Sequence, residues 1–352
     1  MIDEQWFLIS ILADHLQSQS SVSPEGLNWQ KLFVLSEQHQ VSGIVYAQCK
    51  NPFFRHAYFG AIANYLKRKE AMALLEVALR KHDIEYFMVK GPIIAENYPM
   101  PALRTMGDVD VVVHPEDRGK VRNILCELGF RIDEPLGIYE WHLYYSNLMF
   151  ELHDHLMYDE VANEEIDKSF FNDCWEYVMD GALDPNFHFL FLIVHLRKHF
   201  INSGIGFRQF MDIVVMMRGD LNWPWIEKKL RVLELWNFSE KIFALIRVWF
   251  GVELPLVIKS VDQIFIDEAT AMILNNGVFG FDNEENEHNS AVSIVMAEGS
   301  SFISRSRRVL NSVFYPYSKL ILKPQHSYLI NENPNPPAML GRLEENVLGM
   351  RK

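Results

Sequence analysis

A short apolar run, a tight turn, a helix and a second apolar run follow one another in residues 84–113, and this order most restricts the possible folds. Ile84–Val89 is typical of a buried strand, and Gly91-Pro92 follows it at once. Glycine suits the position before a helix and proline suits its first turn, so we predict a helix over Pro92–Tyr98. The β-branched run Val109–Val113 predicts the next strand. We therefore predict a small α/β unit in this part of the chain.

Further elements surround this unit. Glu116–Leu128 is an amphipathic helix that Gly129 closes. Three more strands are predicted after it: Phe130–Asp133, Tyr139–Tyr145 and Leu148–His153. Apolar residues at spacings of three and four predict helices in the remainder of the chain. The clearest are Glu4–His15, Leu27–Gln38, His56–His82, Phe187–Phe200, Arg208–Arg218, Trp225–Leu233, Glu240–Trp249 and Ser293–Val313.

Together these elements predict an α+β fold with a small mixed β-sheet core and large helical N- and C-terminal segments. We expect three parts: an N-terminal helical segment (1–82), the α/β core (83–158) and a helical C-terminal domain with an irregular tail (159–352). The length of 352 residues allows about two domains' worth of core.

Charge and cysteine content limit the partners and the compartment. The chain carries 33 Lys and Arg against 46 Asp and Glu, a net charge of −13, so bulk nucleic acid is not an expected partner. Its three cysteines form no disulfide or zinc pattern, which suits a reducing compartment. The acidic N-terminus does not resemble a signal peptide, and the longest apolar run, about Phe187–Leu196, is too short to span a membrane. We expect a cytoplasmic protein with no membrane partner.

Two acids on the second strand are the first candidates for chemistry. In Asp108-Val109-Asp110 the two carboxylates point to one face, because side chains alternate along a strand. Two unpaired carboxylates repel each other and resist burial, and a divalent cation relieves both problems. Magnesium prefers such oxygen ligands. An Asp-x-Asp pair also occurs on exposed edge strands without any metal.

The turn after the first strand is a candidate anion site. Backbone N–H groups at the start of a helix favour an anion, Gly91 allows close approach, and Lys90 adds charge. Arg104 is suited to a two-pronged phosphate contact. The alternatives are a solvated lysine at a strand end and an arginine that only pairs with Asp108.

A third acid lies on a later strand. Leu148, Phe150 and Leu152 share one face of Leu148–His153, so Glu151 points to the other. If this strand lies beside Val109–Val113, then Glu151 joins the two aspartates. Glu140 and Asp154 compete for this role, or Glu151 is a solvated strand residue.

Histidines and a second charged pair have simpler interpretations. His195 and His199 are four residues apart but lack the intervening glutamate of a metalloprotease, so packing is favoured. Arg208 and Asp212, four apart on a helix, most simply form a local ion pair.

The combined pattern resembles the nucleotidyltransferase superfamily of DNA polymerase β type, and more closely a bacterial family of uncharacterised nucleotidyltransferases. The matching residues are Val89-Lys90-Gly91, Arg104, Gly107-Asp108-Val109-Asp110, Glu151-Leu152-His153, His195-Leu196 with His199, and Gly204–Asp212. The specific part of the likeness covers about residues 84–155. The turn departs from the superfamily pattern, because Lys90-Gly91-Pro92 has no hydroxyl.

The resemblance implies transfer of a nucleoside monophosphate (NMP) from a nucleoside triphosphate (NTP) to a small-molecule or protein acceptor. It implies that Asp108, Asp110 and Glu151 are catalytic and bind Mg²⁺ or Mn²⁺. It also implies that Lys90, Gly91 and Arg104 bind the NTP. Two alternatives remain open: a catalytically inactive nucleotide-binding or protein-interaction module on the same fold, and a growth-inhibiting transferase that acts on tRNA or protein.

Overall fold

The structure is a computed structural model that describes residues 3–132, 140–157, 168–202, 205–259 and 263–277. These residues belong to one compact unit, Met1–Val295. The predicted helix Ser293–Val313 lies outside them. No helix within these ranges is long and apolar enough to cross a membrane.

A mixed β-sheet forms the centre of this unit. Its described strands lie in the order β1-β2-β5-β4-β3. The β2–β5 pair is parallel, and the other neighbouring pairs are antiparallel. The strand bounds are β1 Tyr86–Val89, β2 Asp110–Val113, β3 Arg131–Ile132, β4 Glu140–Tyr145 and β5 Leu148–His153. A separate antiparallel hairpin consists of β6 Val178–Met179 and β7 Ala182–Leu183.

Helices lie before, within and after the sheet segment, which confirms the predicted α+β class. Those before and within it are α1 Glu4–Leu16, α2 Trp29–Gln38, α3 Ser42–Cys49, α4 Arg55–Lys81, α5 Gly91–Ala95 and α6 Arg118–Glu127. Those after it are α7 Lys168–Asn172, α8 Pro185–Asn202, α9 Phe207–Met217, α10 Trp223–Val232, α11 Trp236–Phe250 and α12 Gln263–Asn276.

Sequence patterns did not predict α3, α12 or the β6–β7 hairpin. The first half of α3, Ser42–Val45, is buried, so the helix lacks the polar face that marks an amphipathic pattern. Its adjacent Ile44, Val45 and Tyr46 favour strands locally, and packing overrides this weak preference. The predicted helix Pro92–Tyr98 is also shorter, because α5 ends at Ala95.

The two faces of the sheet pack against different helices. Phe87 and Val112 on one face join a core that α1–α3 and α8–α12 also fill. Val111 and Phe150 on the opposite face pack with apolar residues of α4 and α6. Helices from both ends of the chain thus share the first core. The candidate acids on β2 and β5 lie on the sheet face that this core covers.

Candidate active site

Parallel pairing of β2 with β5 sets Asp110 directly opposite Glu151. Backbone hydrogen bonds on both sides of Val109 fix this register: its amide donates to the carbonyl of Met149 (3.1 Å), and the amide of Glu151 donates to its carbonyl (2.9 Å). A slip of one residue would turn one acid to the other face of the sheet. The structure therefore brings two of the three predicted acids together from neighbouring strands.

His153 contacts both of these acids. Its Nε2 atom lies 3.0 Å from Oδ1 of Asp110 and 3.4 Å from Oε2 of Glu151. Although burial alone would lower it, hydrogen bonds to Asp110 and Glu151 raise the pKa of His153 to about 9. The ligand atoms of these three residues all lie within 4.8 Å of one another. His153 was predicted only as part of the segment Glu151-Leu152-His153, yet its place two residues after Glu151 on one strand face was the available signal for a role beside the acids.

Lys90 forms the tight turn between β1 and α5 and reaches the acids. It has φ 54° and ψ −117°, a conformation that residues other than glycine rarely adopt. Its amide donates to Nε2 of His188 (2.9 Å), a buried side chain on α8. Burial lowers the pKa of His188 to about 4, so its ring is neutral and can accept this bond. The Lys90 ammonium lies 2.6 Å from Oδ1 of Asp110.

Asp108, which was predicted on the second strand together with Asp110, lies instead on the loop before β2 and is half-buried. Across the described ranges, its carboxylate makes no hydrogen bond or ion pair. Burial raises its pKa, and the negative charges of Asp110 and Glu151 act in the same direction. The positive charges of Lys90 and Arg208 oppose this rise, so Asp108 is acted on by the two other acids and by these two cations.

Gly91 and Arg104 are packed against each other. A Cβ atom added at Gly91 would lie 2.8 Å from Nη1 of Arg104, so the glycine makes room for this guanidinium. Arg104 is buried and donates twice to Asp212, with distances of 3.1 Å from Nε to Oδ1 and 2.7 Å from Nη2 to Oδ2. The Tyr98 hydroxyl donates to the same carboxylate (2.6 Å). The structure therefore gives Arg104 a protein partner, and that partner is not Asp108.

The expected local ion pair between Arg208 and Asp212 does not form. Arg208 instead donates through Nη1 to the side chain of Gln40 (3.0 Å) and to the carbonyl of Thr105 (2.7 Å). Asp212 is occupied by Arg104, which lies 108 residues earlier in the chain. Spacing along a helix did not reveal this more distant partner.

The competing acid Asp154 and the histidine pair on α8 have partners of their own. Asp154 accepts a 2.6 Å hydrogen bond from Arg118. The side chain of Glu140 lies outside the described part of the chain. His195 and His199 bond to each other through their Nε2 atoms at 3.0 Å, as expected of packing.

The donor set fits a hard divalent cation. Asp108, Asp110 and Glu151 offer carboxylate oxygens, which Mg²⁺ and Mn²⁺ prefer. Asp108 is half-buried and makes no hydrogen bond or ion pair in the described ranges, so its carboxylate is available to such an ion. The geometry therefore suits metal-assisted chemistry on a phosphate substrate.

A match to a protein-family model points to the same chemistry. Residues 25–251 match a family described as "Uncharacterised nucleotidyltransferase". The comparison with curated proteins gives no match. A solution structure of the antibiotic-resistance factor ANT(2'')-Ia is 12% identical, with a TM-score of 0.34 over 53% of this chain and 99% of that one. A crystal structure of ANT(2'')-Ia in complex with adenylyl-2''-tobramycin is 13% identical, with a TM-score of 0.32 over 53% and 98%.

Proposed function

The chain belongs to the family of uncharacterised nucleotidyltransferases, and from this premise we propose that it moves an NMP group from an NTP to a small-molecule or protein acceptor. The family assignment confirms the resemblance seen in the sequence and makes the protein an enzyme of nucleotidyl transfer. We further propose Asp108, Asp110 and Glu151 as the catalytic acids and Mg²⁺ or Mn²⁺ as the metal.

One observation supports this proposal: Asp110 and Glu151 lie opposite each other on neighbouring strands, and Asp108, two residues before Asp110, makes no hydrogen bond or ion pair among the described residues. A cluster that only stabilised the fold would be expected to pair all its buried charges, because an unpaired buried carboxylate is costly. A bound divalent cation would remove this cost. The raised pKa of Asp108 supports the same conclusion.

The proposed reaction forms a bond between the acceptor oxygen and the α-phosphorus and breaks the bond from the α-phosphorus to the bridging oxygen. Pyrophosphate leaves with the electron pair of that bond, and the proton of the acceptor hydroxyl is released to solvent. Bound divalent ions supply charge stabilisation to the attacking and leaving oxygens in such displacements. Asp108 on the loop before β2 and Asp110 on β2 would hold the metal from one side, and Glu151 would hold it from the neighbouring strand β5.

Lys90 and His153 would hold the acids in place. Lys90 contacts Asp110 and has a backbone conformation that residues other than glycine rarely adopt, as is common at functional sites. His153 bridges Asp110 and Glu151. We retain Lys90, Gly91 and Arg104 as proposed contributors to the NTP site, with Gly91 and Arg104 acting through the packing of the turn.

Acceptor and compartment are also proposals. The net charge of −13 favours a small molecule or a protein over a long nucleic acid. Free thiols at Cys49, Cys126 and Cys174 suit a reducing compartment, and we propose the cytoplasm.

A second candidate function is an inactive nucleotide-binding or protein-interaction module. The 2.6 Å ion pair between Lys90 and Asp110 favours it, because this lysine neutralises part of the negative charge that would attract a metal ion. The missing hydroxyl in the turn Lys90-Gly91-Pro92 points the same way.

Pyrophosphate release separates the two candidates. The full chain is incubated with each labelled NTP, Mg²⁺ or Mn²⁺ and a broad acceptor set, and is compared with Asp108→Asn/Asp110→Asn. We expect metal-dependent release that falls at least about 100-fold in the double variant, because electrostatic stabilisation of the transition state is lost. The exposed acids Asp267 and Glu268 on α12 provide the control Asp267→Asn/Glu268→Gln, which should retain activity.

Stabilisation by NTP without turnover on any acceptor would support the inactive module instead. Growth inhibition on overexpression that the same double variant abolishes would indicate the toxic transferase.

A further inference from the structure

Arg68 is a buried cation that has no role in the reaction proposed above. It lies on α4 with only 9% of its surface exposed. Its Nη2 atom donates to the carbonyl of Gly107 over a long 3.3 Å, while its buried Nε has no hydrogen-bond partner. No carboxylate in the described part of the chain forms an ion pair with it. Leaving such a donor unpaired is costly, so the site is prepared for a further acceptor.

Arg208, a half-buried residue of α9, is a second cation without a carboxylate partner in the described ranges. Its Nη1 donates to Gln40 and to the Thr105 carbonyl, which orients the guanidinium. Its Nε is buried without a partner, and the described ranges provide no carboxylate in ion-pair contact. Arg104, by contrast, has its charge balanced by Asp212. Two of the three arginines in this region thus lack a counter-ion.

The like charges of these arginines act on one another. Burial, together with Arg104 and Arg208, lowers the pKa of Arg68 to about 10, although Asp108 acts in the opposite direction. Burial and Arg104 also lower the pKa of Arg208, while Asp212 and Asp108 oppose this change. An anion bound between Arg68 and Arg208 would relieve this repulsion.

Both arginines hold the loop that leads into the acid pair. Arg208 bonds to the carbonyl of Thr105, and Arg68 bonds to that of Gly107, the residue before Asp108. Gly107 is exposed, and a Cβ atom added there would meet nothing within 4 Å. The loop therefore has open space at the point where the arginines and the first carboxylate adjoin.

We propose that Arg68 and Arg208 form an anion subsite that takes the β- and γ-phosphates of the donor, and hence the pyrophosphate leaving group. The proposal deepens the proposed function and rests on it for the identity of the ligand. Guanidinium groups match phosphate oxygens with paired N–H donors, and both side chains have nitrogens without protein partners. The subsite would compensate for the hydroxyl that the turn at Lys90 lacks.

The test measures binding of inorganic pyrophosphate to the full chain by calorimetry, in buffer with a chelator. An Asp108→Asn/Asp110→Asn background removes nearby negative charge and makes binding independent of metal. We expect binding in this background, and at least about tenfold weaker binding on adding Arg68→Gln or Arg208→Gln, because hydrogen bonds to charged groups are lost. Matched controls on the same two helices are Arg80→Gln in α4 and Arg218→Gln at the end of α9, which should bind as the background does.

Arg68→Lys and Arg208→Lys distinguish the loss of an anion contact from a general disturbance of the loop. A lysine keeps the positive charge but lacks the planar, forked guanidinium group. We therefore expect each lysine variant to bind pyrophosphate more weakly than the background protein and more tightly than the glutamine variant. Thermal unfolding identifies any variant that fails to fold. Glutamine and lysine variants that fold and bind pyrophosphate as the controls do would overturn the subsite, as would no binding to the background protein.

The two proposals can fail separately. If the wild-type chain releases no pyrophosphate from any NTP but its background variant binds pyrophosphate through both arginines, the subsite stands and nucleotidyl transfer fails. If transfer occurs and the arginine variants bind as the controls do, transfer stands and the subsite fails.

Discussion

Arg104 and Asp212 form a buried ion pair that links the loop before β2 to α9. Both side chains are only 7% exposed, and two hydrogen bonds join them. The Tyr98 hydroxyl donates to the same carboxylate, so no oxygen of Asp212 is left without a donor. A fully bonded pair of this kind fixes geometry more than it adds net stability. Its removal on one side, however, leaves an isolated buried charge.

Asp212→Asn should therefore lower the free energy of unfolding by about 3–5 kcal/mol, because Arg104 loses its counter-ion in a buried place. Urea unfolding followed by circular dichroism measures the change. Glu227→Gln, which breaks the exposed pair with Arg231 on α10, is the control and should cost less than about 1 kcal/mol. Equal losses in both variants would mean that the Arg104–Asp212 pair is not buried as described.

The turn from β1 into α5 depends on one residue without a side chain. Gly91 begins α5, and a Cβ atom there would approach Nη1 of Arg104 to 2.8 Å and the sulfur of Met106 to 3.4 Å. Because Arg104 is tied to Asp212, its guanidinium cannot simply move aside. The requirement for glycine at this position thus comes from packing between elements.

Gly91→Ala is predicted to destabilise the protein by about 1–3 kcal/mol through overpacking. Gly60→Ala, inside α4, is the matched control, since an added Cβ meets nothing within 4 Å there. That change should stabilise by about 0.5–1 kcal/mol, because alanine is the better helix former. Denaturation of both variants measures the two changes in the free energy of unfolding, which should have opposite signs. A neutral or stabilising Gly91→Ala would contradict the packing described.

Helices from the two ends of the chain stabilise one another. Leu8 of α1 and Ile246 of α11 belong to the same hydrophobic core. The side chain of Gln17, after α1, also donates to the carbonyl of Phe250 at the end of α11 (2.8 Å). The division into segments 1–82, 83–158 and 159–352 remains a proposal, and this shared core argues that the first and last segments unfold together.

Leu8→Ala should cost about 2–5 kcal/mol, because it leaves a cavity in this core. Amide hydrogen exchange is expected to show an equal loss of protection in α1 and α11. Val22→Ala, at an exposed loop position, is the control and should change little. Loss of protection confined to α1 would instead mean that the N-terminal segment is a separate folding unit.

Local sequence was enough to predict the strands of the sheet, most of the described helices and the face to which each strand acid points. Alternation of side chains set Glu151 apart from its apolar neighbours on β5. The residue pattern of 84–155 also identified the family. These inferences succeeded because strand alternation and turn chemistry depend on residues only a few positions apart.

Contacts between segments that are distant in the sequence could not be predicted from local patterns. The pairing of β2 with β5, the reach of Lys90 to Asp110 and the choice of Asp212 by Arg104 each depend on how separate elements pack. For the same reason the sequence did not predict that Arg68 of α4 and Arg208 of α9 both bond to the loop before β2. Which charges meet in a core is set by the packing of the folded chain, because no local pattern records which segments become neighbours.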